Sequence, residues 1–152
     1  MERPEYLETT VDKFVFRVMA DRYYHESDTW AMDENGTVRV GGSDFLQKKN
    51  GDVAFVEPRA RGTRVAQGEE FGQIETIKAL VSLVSPVTGE IIEVNGELEA
   101  RPELVNEDPY GEGWIVRIEA EDFARDRQKL LEPGDYFILM QEKIKEELGK
   151  KK

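Results

Sequence analysis

The 152-residue chain has no cysteine, a single histidine and only two tryptophans. Without a thiol it can form no disulfide, no thiolate metal site and no cysteine nucleophile, so any sulfur chemistry has to arrive on an attached group. One imidazole, His25, builds no metal cluster, and its expected role is structural. Long apolar runs are missing too: nothing approaches the roughly 18 residues of a membrane-spanning helix. The start, Met1-Glu2-Arg3-Pro4-Glu5, lacks the basic head and apolar stretch of an export signal, so the expected location is the cytoplasm, with no membrane contact. Positive charge is scarce, with 21 Lys and Arg against 32 Asp and Glu, a formal net charge of -11. Such a surface repels a phosphate backbone and excludes nucleic acid as a partner. It can steer the chain toward basic rims on larger proteins, or simply keep it soluble. No triad, phosphate loop or paired acid-base site is visible.

What is present is one compact domain's worth of sequence, 39% hydrophobic, with one lysine in an unusual setting. Lys78 stands in Glu75-Thr76-Ile77-Lys78-Ala79. Before it runs Phe71 to Ile77 and after it Leu80 to Val84, both short, apolar and β-branched, which reads as two strands joined by a tight turn carrying Lys78. Gly68 lies ten residues before the lysine and Gly89 eleven after, so two glycines, both read as turn formers, bracket it almost symmetrically. The ammonium is held at a tip, in water. Nothing nearby would desolvate it, so it is poorly suited to act as a base, but another protein can reach and acylate it.

This hairpin resembles the attachment hairpin of lipoyl and biotinyl carriers. Biotinyl carriers usually place the lysine between two methionines, whereas here its neighbours are Ile77 and Ala79, and Glu75 three residues before it matches the lipoyl pattern. Downstream, Gly89-Glu90-Ile91-Ile92-Glu93-Val94-Asn95 and then Pro102-Glu103-Leu104-Val105-Asn106-Glu107-Asp108-Pro109-Tyr110-Gly111-Glu112-Gly113-Trp114 closely resemble the H protein family of the glycine cleavage system. The likeness runs from about Tyr23 to the C-terminal helix. It implies lipoate as an amide on Lys78, with Glu75 and Gly89 serving recognition by a lipoylating enzyme. Glu26 and Trp114 become candidates for the wall of a groove beside the arm.

The chain departs from the family at Tyr23-Tyr24-His25-Glu26-Ser27-Asp28-Thr29-Trp30, where the usual His-Glu-Trp triplet is split. Aligned on Trp30, Thr29 stands where the family carries Glu; aligned on His25-Glu26, the acid returns but an insertion is needed. The usual Ser-Asp after the lysine is Val81-Ser82, and the usual aromatic before Ser-Pro is Val84.

Elsewhere, Thr10 to Val18 alternates imperfectly and reads as one short strand or amphipathic segment within an added N-terminal stretch, residues 1–20. Asn35-Gly36 is a hairpin turn followed by a strand over Thr37 to Val40. Ser43-Asp44 caps a helical turn that Gly51 ends, and Asp52 to Val56 returns to strand. Pro102 to Asn106 reads as one helical turn and Trp114 to Ile118 as a strand. Helical spacing covers Phe123 to Leu131 and Tyr136 to Leu148, separated by Pro133-Gly134. Residues 21–152 thus form a single domain with C-terminal helices from about 121. The expected class is mainly β, a flattened barrel-sandwich hybrid with peripheral and C-terminal helices.

The resemblance implies a non-catalytic carrier, expected to be monomeric. Its lipoyl-lysine arm would take the aminomethyl group of glycine from a pyridoxal-phosphate glycine decarboxylase to a tetrahydrofolate-dependent aminomethyltransferase. A dihydrolipoamide dehydrogenase would reoxidise the arm. The departures leave open an H-like lipoyl carrier for a heterodisulfide-reductase-like sulfur oxidation system. They also leave open, in another class, an unmodified interaction or regulatory module.

Overall fold

The computed structural model describes residues 5–150. In chain order its elements are β1 (Tyr6–Val11), β2 (Phe14–Met19), β3 (Tyr23–Tyr24), β4 (Thr29–Glu34), β5 (Thr37–Gly42), α1 (Asp44–Asn50), β6 (Val53–Pro58), β7 (Arg64–Val65), β8 (Glu70–Thr76), β9 (Leu80–Val84) and β10 (Gly89–Val94). They are followed by α2 (Glu97–Ala100), α3 (Leu104–Glu107), β11 (Val116–Ala120), α4 (Phe123–Arg127) and α5 (Pro133–Lys150). Among the described residues, no helix is long and apolar enough to cross a membrane.

Two antiparallel sheets make the body. One has six strands in the order β3-β4-β5-β11-β10-β7, the other three in the order β6-β8-β9. Alternation decides which side chains go inside: Val38 and Val40 of β5, Ile91 of β10 and Val116 and Ile118 of β11 are buried against Val53, Phe71, Ile74 and Leu83 of the smaller sheet. This is the flattened, mainly β sandwich with peripheral helices expected from the pattern. On the outer face Arg39 and Arg117 stand directly opposite each other. That like-charge pair is offset by Glu34, whose two carboxylate oxygens accept from Arg39 Nη2 at 3.3 Å and Arg117 Nη2 at 2.7 Å. The β4–β5 turn has positive φ at both Asn35 (61°) and Gly36 (93°), as Asn-Gly hairpins require.

Four local readings are corrected. Thr10 to Val18 is not one segment: it straddles the turn of a β1–β2 hairpin, whose register pairs Val11 with Phe14, and Asp12 takes the left-handed conformation at φ 57°. A short polar residue tolerates that conformation, so the polar Asp12-Lys13 pair breaks the alternation at the turn. The helix expected over Phe123 to Leu131 stops at Arg127, because Leu131 exchanges backbone hydrogen bonds with Tyr24 of the edge strand at 2.7 and 2.9 Å. Pro133-Gly134 does not separate two helices but opens α5, where the missing proline N–H costs nothing. Trp114 lies in the turn before β11, its N–H donating to Gly111 O at 3.1 Å.

A second core joins the hairpin and α5 to the sandwich. Phe16 and Val18 of β2, Tyr24, Trp30, Phe45 of α1, and Tyr136, Met140 and Ile144 of α5 are buried together. Tyr24 and Tyr136 stack with ring centroids 4.4 Å apart and planes 3° from parallel. Beside them lies a polar chain: Tyr136 Oη donates to Asp28 Oδ1 at 2.8 Å, Lys143 Nζ donates to the same oxygen at 2.9 Å, and Ser43 Oγ is 2.8 Å from Tyr136 Oη. Burial pushes the Tyr136 hydroxyl well above the usual tyrosine pKa, and the Asp28 charge adds to this, so it stays a proton donor.

Candidate functional site

Lys78 occupies a two-residue turn, Ile77-Lys78, joining β8 to β9. Thr76 N–H donates to Ala79 O at 2.9 Å, while the returning Ala79 N–H goes to the Thr76 hydroxyl at 3.1 Å. Thr76 is thereby drawn inward, and Ile77, 94% exposed, and Lys78 are left projecting. No hydrogen bond or ion pair to another described residue holds Lys78 Nζ. A free amine at an exposed turn is what acylation by another protein needs, and it fits lipoate, whose carboxyl carbon would join Nζ.

Beneath the tip lies the end of α1. Its Ser43 cap accepts from Leu46 N at 3.2 Å, and Gly51 closes it with φ 86°. A methyl on Gly51 would stand 3.8 Å from Lys78 Cε, so the lysine stem lies over this glycine. Asn106 holds the spot together: its side chain accepts from Val53 N at 2.9 Å and donates to Gly51 O at 3.0 Å and Gln47 Oε1 at 3.1 Å. From the sequence, Asn106 reads only as part of a helical turn. Its one signal was a place in the family-like string, and its contacts are long-range.

Glu75 is exposed three residues before the lysine, in register with Phe55 on one side and Leu80 on the other. Phe55 is 60% and Leu80 64% exposed, so an apolar strip flanks the carboxylate on the outer face of the three-stranded sheet. Gly68 turns the chain at φ 90°. Gly89, read as its matching turn, does not: it opens β10 without a positive φ, paired with Val65 and Ala120. A Cβ there would meet Glu119 O at 2.0 Å, so the position needs glycine because two backbones approach closely. It belongs to the sheet, away from the turn that presents Lys78.

The other two candidates stand apart from the tip. Glu26 is exposed in the turn before β4, where its backbone carbonyl accepts from Lys143 Nζ. Trp114 packs beside the second core, its carbonyl accepting from Asn95 Nδ2 at 2.7 Å and its ring facing the Arg39 guanidinium at 5.8 Å. His25 is half-buried before β4, and its Nδ1 accepts from Ser27 N at 3.0 Å. Burial lowers its pKa, with Glu26 opposing and Lys143 reinforcing the shift. Trp30, fully buried, donates from Nε1 to Gly42 O at 3.0 Å and Pro109 O at 3.1 Å, and its neighbour Thr29 is buried as well.

Lys78 lines a recess of about 210 Å³ walled by the β1–β2 hairpin, α1 and the end of α5; neither Glu26 nor Trp114 reaches it. A larger groove of about 790 Å³ runs between that hairpin and residues 106–111, and Lys78 is not on it. Among the described residues no three His, Asp or Glu side chains gather as a metal site.

Comparison with known proteins fits this geometry. The family model "Glycine cleavage H-protein" matches residues 22–143. A probable glycine cleavage system H protein of Natronomonas pharaonis is 47% identical over 121 residues, covering 80% of this chain and 94% of the relative. A second, from Saccharolobus solfataricus, is 41% identical over 139 residues, covering 91% and 97%. The crystal structure of a glycine cleavage system H protein from Mycobacterium marinum superposes with a TM-score of 0.72 at 30% identity, covering 78% of this chain and 95% of that one. Fold, exposed hairpin lysine and sequence likeness agree over most of the chain, which belongs to the glycine cleavage H-protein family.

Proposed function

We propose that this chain is the lipoyl carrier of a glycine cleavage system and that Lys78 is the residue that carries lipoate. The observation that carries the reading is the lysine itself: exposed, without an ionic partner among the described residues, and set at the tip of a two-residue turn braced by Thr76. The bound group supplies a disulfide able to accept the aminomethyl group of glycine and pass it on. The chain's own residues tether and present it. Tethering raises the local concentration of the arm at whichever enzyme has docked.

The partners follow from that role: a pyridoxal-phosphate glycine decarboxylase, a tetrahydrofolate-dependent aminomethyltransferase, a dihydrolipoamide dehydrogenase and a lipoylating enzyme. Glu75, with the apolar strip of Phe55 and Leu80 and the exposed Ile77, offers these enzymes one surface beside the lysine. The net charge of -11 suits encounters with basic rims that end quickly. Glu75 then serves to mark Lys78 for the lipoylating enzyme.

Intact mass with peptide mapping, on protein isolated from its own cells, tests the assignment. A lipoyl increment confined to Lys78 and lost in Lys78→Arg is expected; an unmodified Lys78 would overturn it. Glycine–bicarbonate exchange with a glycine decarboxylase tests the pathway. A lipoylated protein that supports no exchange would favour the sulfur-oxidation reading, which draws on Thr29, buried, standing in the family's Glu position when the chain is aligned on Trp30.

A further inference from the structure

We propose that the free edge of β1 is a self-association surface, where two copies of this chain pair their β1 strands antiparallel about a two-fold axis at Thr9 and so join their hairpins into one continuous sheet. The inference is independent of lipoylation and departs from the monomer that the family resemblance implies. The whole hairpin lies outside residues 22–143, the part matched by the family model.

The hairpin register fixes which backbone groups point outward. The tight turn makes Val11 and Phe14 the closing hydrogen-bonded pair, so Thr9–Phe16 and Leu7–Val18 are hydrogen-bonded as well. The alternate pairs, Tyr6–Met19, Glu8–Arg17 and Thr10–Val15, turn their N–H and C=O groups away from each other. On β2 these outward groups are taken by side chains. Arg17 N–H donates to Asp44 Oδ2 at 2.9 Å, Arg17 O accepts from Tyr110 Oη at 2.6 Å, Val15 O accepts from Lys48 Nζ, and Met19 O accepts from Tyr24 Oη at 2.8 Å. On β1 the outward groups of Tyr6, Glu8 and Thr10 meet no hydrogen-bond partner among the described residues. The fold closes one edge of the hairpin and leaves the other open.

An open edge is a template for another strand, and proteins usually blunt it with lysine, proline or a bulge. β1, Tyr-Leu-Glu-Thr-Thr-Val, has none of these. Its one charge, Glu8, is matched inside the hairpin by Arg17 Nε at 2.8 Å.

The side-chain pattern selects a second copy as the occupant. With Thr9 on the axis, Thr9 faces Thr9, Leu7 of each copy faces Val11 of the other, and Glu8 and Thr10 of the two copies exchange backbone hydrogen bonds. On the inner face the pair Phe14–Val11 of one copy is continued by Leu7–Val18 of the other, so an apolar row crosses the join. Charge is complementary at the ends: the same register brings Glu5 toward Lys13 in the turn of the other copy, and both side chains are exposed. Moving the axis to Glu8 would set that carboxylate against its own copy, which is unfavourable between directly opposed like charges. Residues 7–11 make a small contact, so the association is reversible and depends on concentration.

The absence of cysteine makes the register testable, because a single introduced thiol can only link two copies. Facing Cα atoms at the axis would lie roughly 4.5 Å apart, within the span of a disulfide. In full-length Lys78→Arg protein, which carries no lipoyl thiols, Thr9→Cys is expected to oxidise to a linked dimer several-fold faster than Glu8→Cys. In sedimentation equilibrium the unsubstituted chain should rise in average mass with concentration toward twice the monomer value. Thr10→Pro removes an N–H that points out of the hairpin, so the hairpin keeps its internal bonds while the mass should stay at one copy. Glu5→Lys should weaken association, and Glu5→Lys combined with Lys13→Glu should restore it. A single-copy mass at every concentration, equal or reversed linking rates for the two cysteine variants, or a dimer that Thr10→Pro leaves intact would each overturn the proposal.

Discussion

The Thr29 hydroxyl donates to the backbone carbonyl of Val84 at 2.7 Å, across 55 residues of sequence. The bond ties β4 of the larger sheet to the end of β9, the returning strand of the lysine hairpin. The two residues, far apart in the sequence, are partners in space. Thr29→Val keeps the shape and removes the donor, leaving a carbonyl without its partner. A loss of about 1–3 kcal/mol is expected in urea unfolding. An unchanged midpoint would mean the carbonyl finds water instead.

Gly89→Ala would drive a methyl into the Glu119 backbone, and the β10–β11 pairing has to give way. A cost of about 1–3 kcal/mol is expected, as for overpacked cores. The lipoylation rate of the folded fraction should hold, since Gly89 belongs to the sheet, whereas Glu75→Gln, exposed beside the lysine, should slow it. Measuring both rates by mass spectrometry separates the two roles, and a slowed Gly89→Ala would return that glycine to recognition.

Tyr136→Phe removes a buried hydroxyl that donates to Asp28 and contacts Ser43. Asp28 keeps Lys143 but loses a short neutral donor, and Ser43 loses a partner, for an expected cost of about 1–3 kcal/mol. Hydrogen exchange should show the loss concentrated in α5. Uniform loss across both sheets would mean the helix is not separately anchored by this chain of contacts.

His25 sets a pH response of known sign. Its folded pKa lies below the ordinary value of 6.5, because burial disfavours the imidazolium. The unfolded chain therefore binds the proton more readily, and stability is fully present above about pH 6.5 and declines as the pH falls toward the folded value. Protonation also ends the acceptance by Nδ1 of the Ser27 N–H. His25→Asn supplies an uncharged acceptor to the same amide, so its melting temperature should fall less than that of the unsubstituted protein between pH 7.5 and 5.5. Parallel curves would remove His25 from the acid response.

Much of the architecture was legible because it rests on local chemistry. The Asn35-Gly36 turn, the Ser43 cap, the Gly51 stop and the Lys78 hairpin are all written in adjacent residues, and the structure places each of them there. The failures share a different cause. Leu131 leaves its helix because a distant edge strand takes its backbone groups, and Gly89 is glycine because of Glu119, thirty residues on. Neither neighbour is visible in a window of sequence.

The sequence by itself determined that the chain lacks thiol chemistry of its own, that its surface is acidic and that one lysine stands between two strands at a turn, because composition and short-range spacing need no third dimension. Only the tertiary structure decided what surrounds that lysine. Gly51 lies under its stem with Asn106 bracing it, and a recess opens beside it between two ends of the chain, residues 11–16 and 144–148. Those residues meet because the second core packs Phe16, Phe45 and Ile144 together, and burial of apolar surface joins segments regardless of their distance along the sequence.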